Sequence, residues 1–220
     1  MRDRYSIGVG LLLLAIVAIA FFNTVGGNEP GTLGLDRLPA RWPLPEFAVP
    51  AAVGSLEGDA NIAQDDCATS EVPCPAEARR TPACRIRAAG AIRVCDLFDR
   101  PLVISFWFTK GDGCVAQQDT VDSAYARYRG RVSFLSLDVR DDRDTVRELI
   151  RRHRWRVPVG YDRDGAVASL YGVGGCPTFA YAYPGGTLQS AGIGDLTPTQ
   201  LDARIAGLLH ATRAAEAGRP

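Results

Sequence analysis

Apolar and polar positions change rhythm repeatedly along the chain, and each change marks an element. Leu102–Phe108 is apolar at every position but Ser105, as expected for a strand buried on both faces. Val121, Ala124, Tyr125 and Tyr128 then recur at helical spacing, so Cys114–Arg129 is predicted as an amphipathic helix. Val132–Val139, VSFLSLDV, reads as a second central strand. A helix over Asp142–His153 follows, with Val146, Leu149 and Ile150 inward and Asp141 or Asp142 as its cap. Val157–Tyr161 gives a short strand and Ala166–Tyr171 a brief helical segment. Thr178–Tyr183 and Thr187–Ile193 flank Pro184-Gly185-Gly186, a hairpin signal. Thr197, Pro198 and Gln200 then supply an N-cap, a proline at the first helical position and a reciprocal capping side chain. Leu201, Ile205, Leu208 and Leu209 carry that last helix onto the sheet. Strand, helix, strand, helix, hairpin and closing helix imply an α/β fold, a central mixed sheet with helices on both faces.

The N-terminus follows a different pattern. Ile7–Phe22 is apolar and uncharged, and Tyr5 to Val25 extends it to a length close to the roughly 20 residues that cross a bilayer. Arg2 and Arg4 precede it and no basic residue follows until Arg37, so a transmembrane anchor would leave the remaining chain extracytoplasmic. A cleaved signal peptide is the alternative, because Ala18-Ile19-Ala20 resembles a cleavage site; Phe21 and Phe22 directly after it favour an uncleaved anchor. The expected organisation is an anchor in 1–25, a linker over 26–45, a domain over 46–212 with a cysteine-containing insertion at about 60–93, and a tail from 213 to 220.

Composition narrows the function. Twenty-five basic and 25 acidic residues cancel, so no long-range field recruits nucleic acid. Six cysteines in an oxidising compartment point to disulfides. Strand-like runs at Ala83–Arg87 and Ala91–Phe98 around Ala89-Gly90 would set Cys84 opposite Cys95 in a hairpin, at disulfide spacing. Cys67 and Cys74 then remain to clasp a proline-punctuated loop. A four-cysteine zinc site is the alternative, but the spacings lack a C-x2-C knuckle. His153 and His210 lie far apart without clustered acids, so neither a metal nor a cofactor is expected.

Two stretches carry a resemblance. Ser105–Cys114, SFWFTKGDGC, is similar to the strand and active-site turn of the membrane-anchored thioredoxin-like proteins of the TlpA/ResA type, usually N-F-W-A-T-W-C-x-x-C. Tyr161–Leu188, YDRDGAVASLYGVGGCPTFAYAYPGGTL, resembles that family's D-x-x-G-x-x-A-x-x-Y-G-V-x-G-x-P-T-T-F-L-I-D-x-x-G. The resemblance implies a thioredoxin fold, a cis Pro177 facing the turn, and a client protein bearing thiols or a disulfide. It assigns Trp107, Thr109, Lys110, Gly111, Asp112 and Gly113 to the active-site turn, and Pro177 and Thr178 to a groove presenting backbone to an extended client.

The departures matter as much. Gly111 stands where the family's attacking cysteine belongs, Ser105 about where thioredoxins can carry a buried acid, and Gln117 where the family has a glutamate. Cys176, directly before Pro177, is a cysteine the family usually lacks, and the fold would bring it to Cys114. Three readings stand. Cys114 and Cys176 form a relocated redox pair, Cys114 being the lower-pKa thiol at a helix N-terminus; or they form a structural disulfide in a silent binding module. The third is a single-cysteine peroxidase, although the peroxiredoxin P-x-x-x-T-x-x-C pattern is absent.

Overall fold

Leu102–Trp107, here β3, is buried at all six positions, and the rest of the domain is arranged around it. The computed structural model describes residues 42–56, 82–111 and 113–218. Before β3 come two short strands, β1 (Ala48–Pro50) and β2 (Ala91–Arg93), which pair antiparallel as a separate ribbon. After it follow α1 (Cys114–Tyr128), β4 (Ser133–Val139), α2 (Arg143–His153), β5 (Val159–Asp162), α3 (Ala166–Leu170), β6 (Thr178–Tyr183), β7 (Thr187–Ile193) and α4 (Pro198–Ala217). The main sheet runs β5-β4-β3-β6-β7. β3, β4 and β5 are parallel, whereas β6 and β7 return antiparallel.

Alternation along β3 sorts the two cores. Leu102, Ile104 and Phe106 face a core shared with β1, α3 and Tyr171. Val103 and Trp107 face the opposite core, built with Val121 and Ala124 of α1 and Leu201, Ile205 and Leu208 of α4. A central strand covered on both faces needs apolar residues in both phases, which explains the unbroken run. The helix starts are set by local chemistry. Asp142 caps α2 by accepting from Thr145 N at 2.9 Å, and Thr197 and Gln200 form a capping box at α4.

Several expectations are corrected. Cys84 and Cys95 are joined, with Cα atoms 5.8 Å apart, but no hairpin ladder brings them together. Ala83–Arg85 and Val94–Leu97 are short 3-10 turns, and β2 pairs with β1 instead. Val49 lies opposite Ile92 in that pairing, and Val94 N donates to Phe47 O at 3.0 Å beside it. The domain also begins earlier than residue 46: Leu44 is buried and Pro43 bridges to Thr187. At the other end α4 continues to Ala217, through most of the expected tail. Cys67, Cys74, most of the 26–45 linker and the apolar Tyr5–Val25 run lie outside the described residues. Among the described residues, no helix is long and apolar enough to cross a membrane.

One buried cation ties the leading segment to the domain. Arg143 donates from Nε to Ala52 O at 3.2 Å and from Nη2 to Ala51 O at 2.6 Å, and its Nη1 also reaches Leu56 O. Its guanidinium lies 5.7 Å from the Tyr161 ring centre. Removing the guanidinium takes these donors from Ala51 O and Leu56 O, while Ala52 O keeps a second donor, Arg147 Nε at 3.0 Å. Arg143→Ala is therefore expected to lower unfolding free energy by about 2–4 kcal/mol in a urea titration; a loss within experimental error would show that water satisfies the 51–56 loop.

Candidate active site

The site lies where β3 ends and α1 begins. Trp107, expected in the turn, is the last residue of β3 and wholly buried, edge-on to Trp155 at 5.4 Å. Its indole N–H donates to Ser136 Oγ at 2.8 Å, Ser136 donates to Gln118 Oε1 at 2.9 Å, and Gln118 Nε2 donates to Ser105 Oγ at 3.1 Å. All four groups are buried, so this chain of hydrogen bonds fixes α1 against β3 and β4. Ser105 thus has a structural partner where the family resemblance led to an acid. Gln117 has a different use: its Oε1 accepts from Leu196 N at 2.8 Å and ties the start of α1 to the segment after β7.

The turn itself is pinned from the loop after β4. Thr109 donates to Asp141 through its backbone N–H at 2.5 Å and through its hydroxyl at 2.6 Å. Lys110 is exposed, and Asp112 lies outside the described residues. Gly113 adopts φ 82°, a left-handed value that suits glycine, and ends directly at Cys114. Gly111 is different, because its need for glycine is spatial. A Cβ there would lie 2.6 Å from Cys114 Sγ and 3.3 Å from the Phe108 ring.

Cys114 opens α1 and is 1% exposed. It is joined to Cys176, with Cα atoms 5.8 Å apart, so the two cysteines set 62 residues apart meet across the site. The Cys176-Pro177 peptide bond is cis. Thr178 does not present a free edge, since it is already placed between Phe106 of β3 and Ile193 of β7. The Pro177 carbonyl likewise accepts from Gly194 N at 2.9 Å. The less buried chain beside the bridge is Val173–Cys176, with Gly174 exposed, although Val173 N donates to Ala168 O at 2.8 Å and Gly175 O accepts from Thr178 Oγ1 at 2.7 Å. Val173, Gly174 and Gly175 line a cleft of about 360 Å³ together with Phe108, Lys110 and Val139, and Cys176 follows directly after them. Glu46 lies near the sulfurs of Cys84 and Cys95, but those two are bonded to each other and offer no thiolate to a metal.

Asp138 was missed by the sequence reading. It sits on β4 opposite Trp107, wholly buried, with Asp141 as its neighbour. Burial pushes its pKa up from 3.8 to about 9, and neighbouring Asp141 acts in the same direction. At neutral pH it is therefore protonated, able to donate toward the carboxyl that holds Thr109. The available signal was its phase: Ser136 and Asp138 share one face of VSFLSLDV, opposite Leu135, Leu137 and Val139.

The sign of the pH effect follows. Between about pH 3.8 and about 9 the folded chain holds a proton on Asp138 that the unfolded chain has released. This contribution to stability is complete below that window and is lost as pH rises through it, by up to about 1.4 kcal/mol per pH unit. In urea titrations, Asp138→Asn is expected to gain on the native sequence steadily from pH 5 to pH 8. A difference independent of pH would show that Asp138 is ionised in the fold.

Comparison with known proteins adds to this geometry. No protein-family model matches the sequence. Over 112 residues the chain is 27% identical to the thiol-disulfide oxidoreductase ResA of Oceanobacillus iheyensis, covering 50% of this chain and 58% of that protein. ResA of Bacillus anthracis is 25% identical over 112 residues, covering 50% and 65%. The alignments thus span less than two thirds of these curated relatives. Among solved structures, a protein described as a thiol:disulfide interchange protein DsbE from Chlorobium tepidum matches with a TM-score of 0.57 at 15% identity, over 78% of this chain and 99% of that one. A DsbF homologue from Corynebacterium diphtheriae matches with a TM-score of 0.56 at 13% identity, over 76% and 87%. At such identities the structural likeness establishes the fold, a thioredoxin-like central mixed sheet flanked by helices. The sequence similarity is thus to proteins named ResA, and the structural likeness is one of fold.

Proposed function

We propose that the protein is a thiol–disulfide oxidoreductase in which Cys114 and Cys176 replace the usual C-x-x-C pair, acting on a client protein that carries thiols or a disulfide. The observation that carries this reading is the junction of Cys114, the first residue of α1, with the cysteine directly before the cis proline, beside an open cleft. A helix N-terminus favours the thiolate over the thiol, which makes a cysteine there exchangeable. The curated relatives carry the same activity in their names.

Membrane attachment belongs to the same proposal. It rests on the apolar run Tyr5–Val25 and the arginines before it, which would hold the domain on the extracytoplasmic side, where disulfides persist. A peroxidase is less well supported, because Cys114 is buried and bonded rather than poised as a free thiol.

Full-length protein in detergent, with dithiothreitol as electron source, is expected to accelerate insulin disulfide reduction. Cys114→Ser should bring the rate down at least about tenfold, toward that of dithiothreitol alone. Equal rates for the native and Cys114→Ser proteins would remove the redox reading for this substrate and favour a silent binding module.

A further inference from the structure

The two sulfurs of the bridge are not equivalent, and from their placement we infer that Cys176 is the sulfur that exchanges with a client, with Cys114 as leaving and resolving thiol. The inference rests on the redox reading proposed above, and it reverses the usual order, in which the cysteine of the turn meets the client first.

Access decides the first half. An attacking thiolate approaches a disulfide sulfur in line with the bond that breaks, so it needs open space at that atom. Cys114 is 1% exposed, whereas Cys176 is only partly buried and directly follows Gly174 and Gly175, which line the cleft. No side chain at residue 111 can take the role of attacker, because the space for its Cβ is filled by the Cys114 sulfur at 2.6 Å.

Leaving-group chemistry decides the second half. Cys114 is the first residue of a 15-residue helix whose N-cap, Gly113, has no side chain to satisfy the helix end, and no acidic residue lies in the first turn. Negative charge on its sulfur is therefore stabilised, and the lower-pKa thiol leaves faster. Asp195 opposes this in part, since its carboxylate lies 3.0 Å from where a Gly113 Cβ would be. The access argument is independent of that charge.

In the oxidising direction a client thiolate bonds to Cys176 Sγ as the Cys114–Cys176 bond breaks, and the electron pair leaves on Cys114. The client's second thiolate then displaces Cys176. The client departs as a disulfide, oxidised by two electrons, while the pair is reduced by two and the thiol protons pass to the cysteines or to solvent. In the reducing direction Cys176 attacks a client disulfide and Cys114 resolves the mixed disulfide. The cleft beside Val173–Cys176 receives the client chain in either case.

The test uses full-length oxidised protein, reduced glutathione as the attacking thiol, acid quenching and peptide mapping. Glutathione is expected on Cys176 at least about tenfold more often than on Cys114. A second arm uses reduced variants and glutathione disulfide: Cys114→Ser should form its adduct at Cys176 at least about tenfold faster than Cys176→Ser forms one at Cys114. Adducts mainly on Cys114, equal rates in the two variants, or no adduct on either sulfur would each overturn the assignment. The native-protein arm requires no variant to fold. Insulin turnover with glutathione landing on Cys114 would overturn this order while sparing the redox reading, and glutathione on Cys176 without any turnover would do the reverse.

Discussion

The site depends on an unoccupied volume. A Cβ at residue 111 would lie 2.6 Å from the Cys114 sulfur, so glycine there leaves the bridge to Cys176 unobstructed. In a C-x-x-C protein the same position holds the partner cysteine, so the two arrangements exclude each other: one sulfur of the turn can bond forward to residue 111 or across to the loop before Pro177. This chain has the second arrangement. Gly111 and Cys176 are thus compatible in packing, and the turn carries a bonded sulfur at the mouth of α1.

What surrounds the bridge keeps both of its ends in place. The buried chain from Trp107 through Ser136 and Gln118 to Ser105 fixes the base of α1, and Gln117 fastens its first turn to Leu196. On the other side, Thr178 is held within the sheet between β3 and β7. A buried carboxyl at Asp138 lies behind that turn, coupled through Asp141 to Thr109. In low dielectric an uncharged acid is tolerated where a carboxylate is not, which is why this group costs stability as pH rises.

Much of the fold was legible because its signals are local. The β3 run, the hairpin at Pro184-Gly185-Gly186 and the Thr197–Gln200 cap each declare themselves within a few residues, and each was found in place. β1 was not legible: three residues carry no usable period, and the strand exists only through its pairing with β2 some 40 residues later. The same limit explains Cys84–Cys95, where the bond was foreseen but the hairpin invoked for it was not the means. At the site, the partnership of Cys114 with Cys176 came from the family resemblance and was met by the geometry. The Thr178 backbone, expected to face a client, turned out to be paired on both sides, a property of sheet order that composition does not encode. Asp138 was hidden because one acid at a strand end ordinarily reads as the solvent boundary.

The central claim is that the bridge between Cys114 and Cys176 is a working redox couple. The most direct measurement is a redox titration of the full-length protein, with alkylation and peptide mapping at each potential. The account predicts that Cys114–Cys176 opens within the range of exchange-active pairs, above about −300 mV, while Cys84–Cys95 stays closed at the same potentials. If both bridges resist reduction alike, the site is a structural clasp and its cleft serves binding alone.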